Sequence, residues 1–196
     1  VSTRSVLISR PLSSSEATQL LSVVTEDARD YYYSACLSVV DAVRGLLADL
    51  YTWATVKLYY ATFYACRSVL ASDGVCFFYW SGSPYQIRAI AGDLAQATRS
   101  STHKSVLSAF ARFRPGDVLL SQNIGVDPPL KWLMDRREDA NYKLARFSEP
   151  TAPDHFAVVG RYKLRRLIAE YATDRVHRYS FDPDHAMLAY PLRMIE

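Results

Sequence analysis

The stretch "DPPLKWLMDRREDANYKLARF", residues 127–147, decides the fold because it predicts a helix with an unusual buried face. Asp127 is a residue type that caps helices, and Pro128 suits the first helical position. With about 100° between successive residues, one stripe covers about a third of the helix circumference. Its members are Leu130, Leu133, Met134, Arg137, Asn141 and Leu144. The stripe is apolar except for an arginine and an asparagine, one turn apart.

Two interpretations of Arg137 and Asn141 follow from their position. In the structural one, a buried arginine pairs with a carboxylate from Asp41, Asp49 or Glu138 and fixes the register of packed helices. In the functional one, the two side chains form a polar notch, where the guanidinium holds a phosphate and the amide adds hydrogen bonds. The sequence leaves both open.

Most of the remaining chain also has helical periodicity. Residues 13–30 begin with a capping box, Ser13 followed by Glu16, and residues 31–50 continue that helix or form a second one. Residues 52–74 are apolar on nearly all sides, as expected at the centre of a bundle, and Gly74 is a suitable terminating residue. Residues 101–114 and 160–174 also predict helices.

Other segments predict extended structure. "VCFFYW" reads as a short strand and "SGSP" as a turn, whereas residues 85–101 read as a long connection. Residues 174–196 predict an extended tail or hairpin around "DPD". The sequence therefore predicts a mainly α protein, an up-and-down bundle of four to five helices in one domain over residues 1–196. Its core spans about residues 13–173.

Composition excludes several classes of protein. Apolar residues make up 49% and charged residues 22%, which is typical of a folded chain, and the net charge of +3 is only mildly basic. Cys36, Cys66 and Cys76 lack metal-ligand spacing and predict reduced thiols. The first residues are too polar for a signal peptide, and no apolar run would span a membrane. We expect a cytoplasmic protein with no membrane contact, no metal and no cofactor.

A second candidate site lies at the start of the helix "THKSVL". A helix N-terminus favours anions, so Thr102, His103 and Lys104 together could hold one, although a capping turn with an exposed His explains them better. The basic stretch "GRYKLRRL" predicts either a solvated helix face or a contact to an RNA backbone. The aromatic stretch "FFYWSGSPYQ" predicts either a protein contact or a cover for one end of the bundle.

Three segments together resemble the HEPN superfamily of helical-bundle proteins. They are "WATVKLYYATFYACRSVLASDG", "STHKSVLSAFARF" and "LKWLMDRREDANY". The first is similar to that family's Tyr-Tyr helix, the second to the Thr-His-Lys helix start of one branch, and the third to its signature helix. In that helix an arginine precedes a polar residue and a tyrosine. The resemblance covers roughly residues 30–147 and does not explain the chain from Pro150 onward.

The resemblance implies specific roles for residues of this chain. Many HEPN proteins are metal-independent ribonucleases that pair an arginine with a histidine in a dimer cleft. The arginine role falls on Arg137, with Arg136 as the alternative, and the polar partner is Asn141. An amide does not titrate near neutrality, so Asn141 cannot act as general acid or base. His103 would be the substitute for the missing histidine.

The expectation is therefore a HEPN-like protein that binds RNA or a nucleotide. Arg136, Lys104 and Tyr142 would assist binding, and the chain would form a homodimer or dock onto a larger protein. If active, it would be a metal-independent endoribonuclease, and the resemblance implies a toxin–antitoxin or antiviral-defence setting. The alternative is a non-catalytic interaction subunit of a larger complex.

Overall fold

A computed structural model describes residues 8–98, 100–159 and 164–196. The described part is mainly helical, as predicted. Its helices are α1 (Ser14–Leu47), α2 (Tyr51–Ser72), α3 (Thr102–Phe113), α4 (Pro129–Glu138), α5 (Leu164–Thr173) and α6 (Ala186–Ile195). Its strands are β1 (Val75–Trp80), β2 (Ser83–Arg88) and β3 (Gln96–Ala97). A π-helical turn follows α4 at Asp139–Lys143, and short 3-10 turns lie at Val118–Leu120 and Asp154–Phe156.

The chain divides into two compact units. The first comprises Val1–Tyr33 and Phe63–Pro115, and the second comprises Ser34–Thr62 and Gly116–Glu196. Both α1 and α2 contribute residues to each unit. The expectation of one domain over residues 1–196 stays a prediction.

In the first unit, α1 begins as its sequence predicts. The Glu16 carboxylate accepts from the backbone N–H of Ser13 at 2.9 Å, and the Glu16 N–H donates to the Ser13 hydroxyl at 3.3 Å. This is the reciprocal arrangement of a capping box. Residues 31–47 continue the same helix. At the end of α2, Gly74 adopts a φ of 75° and its N–H donates to the carbonyl of Ala71 at 2.9 Å. This is the predicted glycine termination.

The first unit also contains a three-stranded antiparallel sheet in the order β1-β2-β3. Ser81 and Gly82 form the β1–β2 turn with φ values of 48° and 75°, the left-handed pair that a two-residue hairpin requires. The strand at 75–80 and the following turn are therefore confirmed. The prediction of a bare connection at residues 85–101 was wrong, because Tyr85 and Ile87 of β2 are buried and form a core cluster with Ala95.

In the second unit, α4 differs from its prediction at both ends. The helix begins at Pro129 rather than Pro128, and the Asp127 carboxylate binds Lys131 at 3.0 Å instead of capping. After Glu138 the π turn replaces the α-helical repeat, and Leu144 is extended and 59% exposed. The predicted stripe is therefore wrong at Leu144, because a π turn holds more residues per turn and changes which face each one occupies.

The C-terminal tail was also predicted wrongly. Residues 186–195 form α6, whose residues from Ala186 to Pro191 are all buried, rather than an extended segment or hairpin. Ala, Met and Leu favour helix, and burial of this apolar run outweighs the lost hydrogen bond at Pro191. The described chain thus has six α-helices rather than four to five.

Within the described residues, every helix is too short or too polar to cross a bilayer. Among the described residues, the cysteines Cys36, Cys66 and Cys76 are not in disulfide bonds.

Candidate functional site

Arg137 lies in the last turn of α4 and is the centre of the candidate site. Its guanidinium carbon lies 5.6 Å from the ring centroid of Tyr59 and 5.2 Å from that of Tyr142. Both distances are within the range of a cation–π contact. Tyr59 is buried on α2, whereas Tyr142 in the π turn is 72% exposed. Arg137 is therefore held between a core aromatic ring and an exposed one.

The neighbouring carboxylates of the π turn are bound by other cations. Asp139 accepts from Arg136 at 3.0 Å and from Lys143 at 3.1 Å, and Glu138 lies 3.8 Å from Lys143. Within the described residues, Arg137 forms no ion pair of its own, and its buried Nε has no hydrogen-bond acceptor. A guanidinium without an anion, held by aromatic rings, is suited to an anionic ligand.

The other carboxylates considered as structural partners are also bound elsewhere. Asp41 pairs with Lys57 at 3.3 Å, and Asp49 accepts a hydrogen bond from the Tyr51 hydroxyl at 2.7 Å. An arginine–carboxylate lock therefore does not explain the position of Arg137.

Arg137 keeps its charge despite partial burial. Burial by itself lowers the pKa of the guanidinium, but a hydrogen bond with Tyr60 and the neighbouring Tyr142 and Tyr59 outweigh that effect and raise it. The group is therefore cationic at any pH at which the protein is folded.

Asn141 lies in the π turn and is half-buried. In the sequence it follows Arg137 and directly precedes the exposed Tyr142. Its side-chain amide makes no hydrogen bond to the described residues, so its donor and acceptor can serve a ligand. We name Arg137, Tyr59, Tyr60, Asn141 and Tyr142 the arginine–tyrosine site. It contains a fixed cation, an amide that does not titrate and an exposed aromatic ring.

Arg136 faces a different environment from Arg137. Its guanidinium carbon lies 5.7 Å from the ring centroid of Trp132, and it pairs with Asp139. Together with burial, its charge lowers the pKa of His155 to about 4. The Nε atoms of both arginines lack an acceptor among the described residues, but Arg136 has a carboxylate partner, which favours Arg137 as the ligand-binding arginine.

His155 is a partly buried polar group in the 3-10 turn Asp154–Phe156. Its Nε2 lies 2.8 Å from the Thr55 hydroxyl oxygen, and that hydroxyl donates its own proton to the Tyr51 carbonyl at 2.9 Å. The ring must therefore donate through Nε2–H, which leaves Nδ1 as the position that would take up a proton. With a pKa of about 4, the ring is neutral at pH 7.

A second unforeseen contact lies at the N-terminus of α2. The Glu149 carboxylate accepts from the backbone N–H of Thr52 at 2.6 Å and from its hydroxyl at 2.7 Å, and these contacts lower the pKa of Glu149 although burial opposes them. Thr52 and Thr55 share one face near the start of α2, and both are buried. That pair of threonines was the only sequence signal that polar partners would reach this end of α2.

The remaining predicted residues, His103 and Lys104, belong to the first unit, whereas Arg136, Arg137, Asn141 and Tyr142 belong to the second. His103 is the second residue of α3, and its ring centroid lies 4.4 Å from that of Phe63. Lys104 is exposed. Thr102 forms a hydrogen bond with the Tyr79 hydroxyl. The start of α3 is therefore packed and bonded within its own unit.

No group of three or more His, Cys, Asp or Glu side chains within residues 8–98, 100–159 and 164–196 could hold a metal ion. Comparison with known proteins adds no relative, since no protein-family model, curated protein or solved structure matches the chain. Inferences about function therefore rest on the chain's own residues and on the resemblance of its segments to HEPN proteins.

Proposed function

We propose that this chain is a HEPN-like protein whose arginine–tyrosine site binds single-stranded RNA. The observation that carries the proposal is the Arg137 guanidinium, charged and without an anionic partner in the described chain, beside the exposed ring of Tyr142. An arginine that can accept a phosphate and an aromatic ring that can stack on a base are the two elements that recognise unpaired nucleotides. The up-and-down arrangement of helices that the sequence predicts is part of this proposal.

Each residue of the site has a distinct role in the proposal. Arg137 contacts a phosphate through N–H groups that no carboxylate occupies, while Tyr59 and Tyr60 orient the guanidinium. Tyr142 stacks on a base. Asn141 hydrogen-bonds a ribose hydroxyl or a base edge, which a non-titrating amide does equally well at any pH.

Binding should depend on Arg137 and Tyr142 in measurable amounts. The affinity of the protein for a fluorescein-labelled RNA is measured by fluorescence anisotropy. The RNA has about ten nucleotides, which is within the length that one single-strand binding face covers. Arg137→Met keeps the aliphatic stem and should raise Kd about tenfold and reduce the salt slope by about one. Tyr142→Ala removes an exposed ring and should raise Kd at least about fivefold.

Matched substitutions separate this site from general electrostatics. Arg44→Met removes an exposed cation of the second unit, and Tyr33→Ala removes an exposed tyrosine of α1 that is 68% accessible. Both should leave Kd within about twofold of the wild-type value, as expected for residues outside the binding face. Equal losses in the site variants and the controls would refute a localised site.

Cleavage is measured separately from binding. Total RNA is incubated with the protein in EDTA, beside a folded Arg137→Ala variant. Cleavage that disappears in the variant would identify a metal-independent endoribonuclease, with His103 as the remaining acid–base candidate. Binding without cleavage would assign a binding role alone. The neighbouring genes would test the toxin–antitoxin or antiviral-defence setting.

A non-catalytic interaction subunit is the second candidate function. It is favoured by Trp53 and Phe147, whose rings pack edge to face at 6.2 Å while remaining 52% and 55% exposed. Exposed aromatic pairs of this kind are common at protein contacts. Unchanged RNA binding in the site variants, together with dimer loss in Trp53→Ser, would favour this candidate.

A further inference from the structure

A cavity of about 310 Å³ lies in the C-terminal part of the second unit and is lined by residues of α5, of α6 and of the segment that connects them. Its lining includes Tyr171, Arg178, Phe181, Asp182 and His185. The volume is at the lower end of the range for small-molecule pockets, roughly 300–1,000 Å³. It is suited to a ligand the size of one nucleoside rather than to a dinucleotide. None of these residues belongs to the arginine–tyrosine site.

Two buried polar atoms of lining residues lack partners. Among the described residues, neither the Tyr171 hydroxyl nor the Nε of Arg178 has a hydrogen-bond partner. Buried donors are almost always satisfied in folded proteins, so two unsatisfied donors in residues that line one cavity favour a ligand that bonds to them when it enters. Burial raises the pKa of Tyr171, so the hydroxyl keeps its proton and remains a donor. The ligand must therefore supply acceptors.

The walls of the cavity are aromatic and flat. The Tyr171 ring stacks on the His185 ring, with centroids 5.8 Å apart and planes inclined by 30°. Phe181, which is only 5% exposed, also lines the cavity. Aromatic walls with a few placed polar groups favour a planar ligand.

The charges around the cavity argue against an anionic ligand. Two arginines and two aspartates line it, so their formal charges cancel. Glu196 binds both guanidiniums, that of Arg178 at 2.6 Å and that of Arg193 at 2.7 Å. Arg193 also donates to the carbonyls of Arg178 and Tyr171, so it holds the wall together rather than facing a ligand.

We propose that this cavity binds a neutral purine or pyrimidine nucleoside, with the base between the aromatic walls and its ring nitrogens or carbonyls accepting from Tyr171 and Arg178. The carboxylate of Asp182 and the hydroxyl of Ser180 accept from the exocyclic amino group or the ribose hydroxyls. The site is independent of the RNA-binding proposal, because it uses different residues.

The probes are adenosine, guanosine, cytidine and uridine, with inorganic phosphate as the anionic probe. Each is used at about 1 mM, because a small neutral ligand of this kind binds in the micromolar to millimolar range. Isothermal titration gives Kd, and thermal unfolding gives an independent readout. At least one nucleoside should bind and raise Tm by a few degrees, and phosphate should do neither.

Conservative variants test the two donors without emptying the wall. Tyr171→Phe keeps the ring, and Arg178→Lys keeps the charge that pairs with Glu196 but removes Nε. Each should weaken nucleoside binding about tenfold, as expected for a buried hydrogen bond. Tyr179→Phe removes a hydroxyl outside the lining and should leave Kd unchanged. The proposal would be overturned if phosphate bound in place of the nucleosides, or if no nucleoside bound. Equal affinities in all three variants would also overturn it.

Discussion

Acidification should destabilise this protein through one partly buried histidine, His155. Burial and the charge of Arg136 lower its pKa to about 4, against 6.5 for an exposed imidazole. Between these two values the unfolded chain binds a proton that the folded chain excludes, so stability must fall as the pH falls. At about 1.4 kcal/mol per pH unit, titration from pH 6.5 to about 4 costs about 3 kcal/mol. Above pH 6.5 the ring is neutral in both states and costs nothing.

The His155→Gln variant isolates this effect. A glutamine amide can still donate to the Thr55 hydroxyl oxygen, and it takes up no proton. Between about pH 7.5 and about pH 4.5, the wild type should lose about 2.5 kcal/mol more than the variant, or roughly 5–10 °C in Tm. Carboxylates such as Glu149, whose lowered pKa also makes stability fall in acid, are common to both proteins and cancel in the difference.

The control is His177→Gln, which removes a histidine whose side chain is 74% exposed. Its acid profile should follow the wild type. Thermal unfolding by circular dichroism at closely spaced pH values measures all three proteins. Parallel profiles for the wild type and His155→Gln would refute the argument, because they would place the proton uptake elsewhere.

Two substitutions in the second unit test the other contacts. Glu149→Gln weakens the two hydrogen bonds from Thr52 and should lower the free energy of unfolding, measured by chemical denaturation, by about 1 kcal/mol. Its control, Glu170→Gln, removes a surface ion pair and should lower that free energy by less than about 0.5 kcal/mol. Leu133→Ala empties a fully buried position and should cost about 2–5 kcal/mol, whereas Val126→Ala, at 90% exposure, should change stability by less than about 0.5 kcal/mol. Equal effects within either pair would contradict the burial and bonding described here.

Features set by neighbouring residues could be predicted from the sequence. The Ser13–Glu16 capping box, the glycine end of α2 and the Ser81–Gly82 turn each depend on side chains within a few positions of one another. The position of Arg137 on the inner side of α4 was predicted in the same way. These features follow from helical periodicity and from the conformational freedom of glycine.

Features set by distant residues could not be predicted. His155 and Thr55 are 100 positions apart, and Glu149 and Thr52 are 97 positions apart, so no local pattern links them. The helix α6 was missed because Pro191 is unfavourable in a helix interior and the compensating burial comes from tertiary packing. The π turn after Glu138 likewise altered the environment of Asn141 without a recognisable sequence signal.

The most direct test of RNA binding at the arginine–tyrosine site is photo-cross-linking to an RNA that contains 4-thiouridine, followed by tryptic digestion and mass spectrometry. Cleavage after Arg137 and Lys143 releases the peptide of residues 138–143, "EDANYK", which carries both Asn141 and Tyr142. We expect the main cross-link in this peptide. In the Arg137→Met variant, cleavage after Arg136 releases residues 137–143 instead, and this longer peptide should carry no cross-link. Cross-links confined to other peptides, with this one unmodified, would contradict the proposed site.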